Sequence, residues 1–273
     1  GMSEDGEAVV CATEDGAELQ RLAPPRGVGP QRQARVLPSG ELLVASTQFD
    51  SDEESSAAVV WNLTDATPQH VLRPPHGRIR LLEISPCGAV LVMVGREAVF
   101  VWTTATGRYE RELLASGMAL SAVAVSPGGA MIAGSAEGFF SLWNGRTGQP
   151  EWQIGTVAGR PHLAFVGGGR IALLPPRGGV VVWDAASGRQ LYALRGVPSA
   201  DAMGVSPSGD FFAVCGVRRG SDGAVAWAKV WESSGGREVL FMQERLVANA
   251  SRAMPCSIDV GVAASMAELL PVG

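Results

Sequence analysis

Short runs of β-branched and aromatic residues alternate with polar turns along the whole chain. The stretch from Gly179 to Leu191 shows the pattern most clearly. Three valines lead into Trp183, a polar turn ends at Gly188, and a second apolar run starts at Leu191. Apolar runs of this length that flank a Gly-containing turn predict a β-hairpin.

The same hairpin pattern recurs at nearly constant intervals. Its first strand ends in a tryptophan, and these tryptophans are Trp61, Trp102, Trp143, Trp183 and Trp231. The spacings are therefore 41, 41, 40 and 48 residues. A period near forty residues indicates a repeat architecture. We expect these five tryptophans to be structural core residues, because the repeat itself sets their positions.

A second hairpin precedes each tryptophan hairpin. Its turn has the pattern Ser-Pro-x-Gly at Ser85–Gly88, Ser126–Gly129 and Ser206–Gly209. Proline sets φ near the value that the first turn position needs, and glycine supplies a positive φ. Each unit is therefore predicted to contain four strands, called a, b, c and d in chain order.

Four short antiparallel strands per forty residues are typical of a β-propeller blade. Together, the Trp followed by Asp, Asn or Glu and the Ser-Pro-x-Gly turn resemble the WD40-repeat family. The resemblance covers nearly the whole chain and implies an all-β fold, a β-propeller of WD40 type. Only Trp183-Asp184 has the literal Trp-Asp pair, and the family's Gly-His before strand a is absent. The hydrogen-bonded His–Asp–Ser–Trp tetrad of the family therefore cannot form, and packing must hold the blades together.

The two ends of the chain each supply half a unit. Residues 7–22 have the pattern of a c–d hairpin with Cys11 in the tryptophan position, and residues 255–271 have the pattern of strands a and b. Full repeats are predicted over about 32–73, 78–114, 119–155, 160–194 and 200–243. We therefore predict one domain, residues 1–273, with six blades, the last closed by both termini. The alternative is a ring completed by a partner or a missing segment.

Three connections depart from the repeat. Residues 48–56, which are rich in Asp and Glu, lengthen the b–c loop of the first full unit, and residues 217–224 lengthen that of the fifth. Residues 24–30 form a long d–a connection. Binding sites are often on such loops, although an exposed loop also tolerates insertions that have no function.

Composition narrows the classes of partner and compartment. The net charge of −5 and the pI of about 5.3 argue against a general attraction to nucleic acid or anionic lipid. The four cysteines form no Cys-x-x-Cys pair, which favours free thiols. We find no signal peptide and no apolar run of about twenty residues. Cytoplasm is the expected compartment, with the nucleus as the alternative, and oligomeric state is left open.

No motif in the sequence predicts catalysis, a metal site or a cofactor. The acidic residues near position 52 lack the spacing and the glycine of an EF-hand loop, so we interpret them as solvated. The leading hypothesis is a non-catalytic scaffold that binds protein partners. The alternatives are a regulatory propeller that binds a peptide or small ligand at its central pore, and an enzyme with an unrecognised site.

The d–a and b–c connections of such a propeller meet on one face, which is where we predict the partner-binding site. The candidate residues are Arg26, His76, Arg78, Arg160, Arg177, Arg218, Arg219 and Trp227. Arginine presents a planar fork suited to carboxylates, so the predicted ligand is an acidic segment of a protein partner. Trp227, beside Arg218 and Arg219, is expected to be an exposed aromatic. Solvated arginines that reflect coding bias are the alternative.

Overall fold

The computed structural model describes residues 3–12, 14–37, 40, 42–47, 56–114, 120–136, 138–155, 161–220 and 223–246. Regular structure in these ranges consists of β-strands, and no helix occurs in them, hence none that could cross a bilayer. The chain divides into two compact units. Unit 1 contains residues 1–133 and 143–151, and unit 2 contains residues 134–142 and 152–273.

The strands form one two-stranded sheet and five four-stranded sheets. The first sheet pairs β1 (Ala8–Cys11) with β2 (Glu18–Leu22). The second contains β3 (Gln31–Val36), β4 (Leu42–Thr47), β5 (Ala58–Asn62) and β6 (Thr67–Leu72). The third contains β7 (Leu81–Ile84), β8 (Val90–Val94), β9 (Ala98–Thr103) and β10 (Arg108–Leu114).

The remaining three sheets repeat this arrangement. The fourth contains β11 (Ala122–Val125), β12 (Met131–Ala136), β13 (Phe139–Asn144) and β14 (Pro150–Gly155). The fifth contains β15 (His162–Val166), β16 (Arg170–Leu174), β17 (Val180–Asp184) and β18 (Gln190–Leu194). The sixth contains β19 (Ala202–Val205), β20 (Phe211–Gly220), β21 (Gly223–Glu232) and β22 (Glu238–Leu246). Within every sheet the strands lie side by side in chain order, which confirms an all-β fold of repeated four-stranded sheets.

Sheets pack face to face, so a third strand can be buried on both sides, as β5 is. In β5, Ala58 and Val60 belong to the core shared with β7–β10, whereas Val59 and Trp61 belong to the core shared with β1 and β2. All four side chains are buried. Burial on both faces explains why these strands are continuous apolar runs instead of alternating patterns.

The serine of the Ser-Pro-x-Gly turn makes the same hydrogen bond in three repeats. The hydroxyls of Ser85, Ser126 and Ser206 accept the amide N–H five residues later, at 3.0, 2.9 and 3.2 Å. All three serines are buried. Each hydroxyl thus satisfies a backbone donor that the turn would otherwise leave unpaired, which closes the hairpin between strands a and b.

In the repeats of Asn62, Asn144 and Asp184, the residue after the tryptophan caps the second turn. Asp184 Oδ1 accepts the Ser187 amide at 2.8 Å and the Ser187 hydroxyl at 2.5 Å, and these bonds lower the pKa of the Asp184 carboxyl. Asn144 Oδ1 likewise accepts the amides of Arg146 and Thr147. Asp and Asn therefore follow tryptophan because their short side chains cap this turn.

Four of the five repeat tryptophans are buried core residues, as predicted: Trp61, Trp102, Trp143 and Trp231. Trp183 is half-buried. The indole N–H groups of Trp61, Trp102 and Trp183 are buried without a hydrogen-bond partner. In the described part of the chain, these three tryptophans therefore take no part in a hydrogen-bonded tetrad.

A side-chain hydrogen bond joins consecutive sheets at four places, each within one of the two compact units. The side chain lies on the last strand of one sheet, nine residues after the tryptophan, or after Cys11 in the first sheet. The acceptor is a backbone carbonyl in the last turn of the next sheet. The pairs are Gln20 with Leu63 at 2.5 Å, His70 with Ala105 at 3.1 Å, Trp152 with Ala185 at 2.8 Å, and Tyr192 with Ser233 at 2.7 Å. Since each pair spans two sheets, these bonds fix how neighbouring sheets align.

The first strands of consecutive sheets also lie next to one another. In unit 1, β7 neighbours both β3 and β11, and in unit 2, β15 neighbours β19. Within unit 1, Arg35 of β3 forms an ion pair with Glu83 of β7 at 3.9 Å. Burial raises the pKa of the Glu83 carboxyl, and the Arg35 charge opposes that shift.

Several predictions concern residues outside the described ranges. The acidic loop lies there except for Ser56, which is buried. The predicted strands over 255–271 lie there entirely. Cys11 does occupy the tryptophan position of its hairpin, because its pairing with Glu18 follows the same register shift as the pairing of Trp183 with Gln190. Cys11 is exposed, so it does not replace tryptophan as a core residue.

Candidate functional site

The prediction of a lengthened loop over residues 217–224 is wrong, because most of these residues belong to strands. β20 and β21 pair from Phe211–Glu232 to Gly220–Gly223, ten pairs in all, whereas β16 and β17 form four. Six further pairs extend a hairpin by about 20 Å at the usual strand rise. β22 pairs along this extension as far as Leu246. The departure from the repeat is thus a three-stranded extension of the sixth sheet, formed by residues 215–220, 223–228 and 242–246 and called the projection below.

One connection of unit 2, residues 196–200, crosses the base of this projection. The Gly179 amide donates to Val197 O at 2.9 Å, and Ser199 Oγ donates to Pro176 O at 2.8 Å. On the other side, a Cβ at position 216 would lie 3.1 Å from Ala200 Cα and 3.2 Å from the Trp227 ring. Glycine at 216 therefore lets the connection and the indole approach the strand closely.

A cavity of about 140 Å³ lies between this connection and the projection. The strand register explains the lining, because Val225, Trp227 and Lys229 alternate along β21 onto one face. Phe241 and Gln243 stand directly opposite Lys229 and Trp227 on β22. The full lining is Gly196, Pro198, Arg218, Val225, Trp227, Lys229, Phe241 and Gln243.

The cavity combines aromatic surface with positive charge. Lys229 Nζ lies 5.0 Å from the centre of the Phe241 ring, within the range of a cation–π contact. The same amine forms an ion pair with Glu238 at 2.9 Å. Arg218 is exposed and forms no ion pair with any described residue. Among the described residues, the buried Trp227 N–H has no hydrogen-bond partner, as is also the case for Trp61, Trp102 and Trp183.

The prediction that Trp227 is an exposed aromatic is wrong, because only 4% of its surface is accessible. It packs in the core with Val197, Val214 and Ala200. The aromatic surface next to the cations is supplied instead by Phe241, which is 49% exposed.

Arg218 and Arg219, predicted as a pair, occupy different faces. Arg218 lines the cavity, whereas the next residue on a strand points to the opposite face of the sheet. Arg177 is exposed in the turn of residues 175–179, which is bonded to the connection at Val197 and Ser199. The structure therefore brings Arg218 and Trp227 into one cavity and holds the Arg177 turn against the connection that lines it.

The remaining predicted residues do not contribute to this cavity. In unit 1, Arg26 is exposed, Arg78 is half-buried, and His76 Nε2 contacts Glu112 at 3.1 Å while its ring lies against Phe100. Arg160 lies outside the described residues. A common face for all these side chains stays a prediction.

Sequence reasoning did not select Lys229, Phe241, Gln243 or Pro198. Alternation along the strand could have grouped Lys229, the only lysine of the chain, with Trp227. The repeat could also have placed Phe241 beside Lys229, because the register shift at Trp231–Glu238 recurs at Trp183–Gln190 and at Cys11–Glu18.

The cavity lining combines positive charge with aromatic and aliphatic surface. Its side chains supply two cations, an amide, two aromatic rings and aliphatic surface, and they include no carboxylate, imidazole, thiol or hydroxyl. No group of three or more His, Cys, Asp or Glu side chains in the described ranges is placed to hold a metal ion. No model of a known protein family matches the chain, and no curated protein matches it.

Proposed function

We propose that this chain is a β-propeller of the WD40 type that works as a non-catalytic platform for protein–protein interaction. Three observations support the architecture: four-stranded sheets in chain order, adjacent first strands within each unit, and face-to-face packing of consecutive sheets. Blades of a propeller have these features. A fold does not determine function, so the functional part of the proposal rests on the cavity.

The proposed ring has six blades. Among the described residues the first sheet has only β1 and β2, and residues 255–271 would complete it as strands a and b. Deleting residues 256–273 would then leave an open edge and exposed apolar surface. We expect the truncated protein to aggregate or to become sensitive to protease. A truncated protein that stays soluble and unfolds cooperatively would contradict closure by the two termini.

The proposed ligand is an acidic segment of a protein partner. The observation that carries this proposal is the cavity in which Arg218 and Lys229 stand beside Trp227 and Phe241. Arginine and aromatic residues are enriched among the residues that dominate binding energy at protein interfaces. The net charge of −5 disfavours nucleic acid as the anion.

Affinity capture from a source lysate, followed by binding measurements with the purified partner, tests this function. Arg177→Glu and Arg218→Glu/Arg219→Glu are compared with the parent protein at low and moderate salt. We expect a partner with an acidic segment, whose affinity falls with salt and with each charge reversal. Unchanged affinity in both variants, with folding confirmed by circular dichroism, would contradict the proposal.

A further inference from the structure

The size of the cavity limits what it can hold. Sites for small-molecule ligands and cofactors usually have about 300–1,000 Å³, while a cavity of about 150 Å³ accommodates a benzene-sized group. The cavity beside the β20–β21 hairpin has about 140 Å³. It therefore fits one apolar side chain of a larger ligand.

One aromatic ring of the lining has no covering group among the described residues. Phe241 is about half exposed although it is a large aromatic residue in a regular strand. An occupant of the cavity that packs against the Phe241 ring would bury this surface.

The cations at this cavity favour carboxylates on either side of that apolar side chain. Arg218 has no acidic partner among the described residues, and Lys229 already holds the Glu238 carboxylate at 2.9 Å. The Glu238 side chain is 43% exposed, so an incoming carboxylate can compete with it for Lys229.

The cavity is preorganised by the surrounding backbone. The connection 196–200 is hydrogen-bonded to the neighbouring turn, and the projection forms a regular three-stranded sheet. A site that is already formed loses little conformational entropy when a ligand binds. Such a cavity can give useful affinity to a short segment.

We propose that this cavity anchors one apolar side chain of a partner's acidic segment, with the flanking carboxylates bound by Arg218 and Lys229. This inference rests on the proposed function and adds the recognition pattern to it: an aromatic or large aliphatic residue with acidic residues on both sides. The segment lies along the connection 196–200, and its apolar side chain packs between Pro198, Trp227 and Phe241.

The probe is a fluorescently labelled synthetic peptide of sequence Glu-Asp-Phe-Glu-Asp. Its two controls replace Phe with Ala, or the acids with Gln and Asn. Binding is measured by anisotropy, and contact with the cavity is measured by NMR after ¹³C reductive methylation. Lys229 is the only lysine, so its dimethylamine signal is assigned directly against that of the N-terminal amine.

Matched variants separate the cavity from general electrostatics. Arg218→Glu and Arg219→Glu change the net charge equally, but only Arg218 lines the cavity. We expect Arg218→Glu to weaken binding about tenfold or more and Arg219→Glu to change it about twofold. Phe241→Ala should weaken binding about tenfold, whereas Leu191→Ala, at another exposed apolar position of unit 2, should not. Glu238→Gln should strengthen binding several-fold, because it removes the competing carboxylate.

The outcomes distinguish this inference from the proposed function. The Lys229 signal should shift with the Phe peptide and much less with the Ala peptide. Equal affinity for the Phe and Ala peptides, or equal losses in the Arg218→Glu and Arg219→Glu variants, would overturn the anchor while leaving acidic-segment binding intact. Absence of binding and of any Lys229 shift would also overturn it. The proposed function would then be tested by whether charge reversal still weakens binding of the captured partner.

Discussion

Ala66 has a left-handed backbone conformation, and the equivalent residue in the other repeats is glycine. The corresponding residue, five positions after the tryptophan or Cys11, is Gly16, Gly107, Gly148, Gly188 or Gly236, with φ between 63° and 79°. Ala66 has φ 57°. In the described part of the chain, it is the one non-glycine residue with a positive φ. Its side chain is exposed, so the β-carbon contributes little packing.

Ala66→Gly should therefore stabilise the protein. A left-handed conformation costs a non-glycine residue about 1–2 kcal/mol. Glycine also increases the entropy of the unfolded chain, which lowers the stability of the variant by about 0.4–1 kcal/mol. We expect a net gain of about 1 kcal/mol in the free energy of unfolding.

Two glycine-to-alanine substitutions in unit 1 measure backbone strain and packing separately. At Gly16 a β-carbon would meet no atom within 4 Å, so Gly16→Ala should cost only the backbone strain, about 1 kcal/mol net. At Gly107 a β-carbon would lie 2.7 Å from His70 Cγ. Because His70 is held by its bond to Ala105, Gly107→Ala should cost about 2–4 kcal/mol.

Urea unfolding followed by tryptophan fluorescence and far-UV circular dichroism measures all three variants. A true stability change shifts the midpoint without changing the slope. The expected order of stability is Ala66→Gly, parent, Gly16→Ala and Gly107→Ala. An Ala66→Gly variant no more stable than the parent would refute the strain argument, and equal losses at Gly16 and Gly107 would refute the packing argument.

Further predictions concern the tyrosines and a core tryptophan. Tyr192→Phe removes the bond to the Ser233 carbonyl and should lower the free energy of unfolding by about 1 kcal/mol in urea melts, whereas Tyr109→Phe should be nearly neutral. Burial raises the pKa of both tyrosines, so their stabilising contribution is present below pH ~10 and is lost as pH rises through the folded pKa. Phenolate absorbance should accordingly appear at higher pH in native than in urea-unfolded protein. Trp143→Ala should cost about 3–5 kcal/mol, and a melt within ~1 kcal/mol of the parent would contradict its burial.

The repeated sheets and their turns follow from local features of the amino-acid sequence. Each sheet is a meander of neighbouring strands, so its pattern depends on local periodicity and turn chemistry. Ser126 and Asp184 act within their own turns, over five and three residues. Such contacts follow directly from spacing along the chain, which is why the strand order of the units could be predicted.

The cavity depends on contacts between segments that are separated in the sequence. Trp227 is a strand residue whose burial depends on Gly216 across the hairpin and on the connection at Ala200. Hydrophobic pattern specifies which residues alternate along one strand, but it does not specify which neighbouring segment covers them or how far a hairpin continues. Those choices follow from packing between elements, since burial of apolar surface depends on what lies opposite.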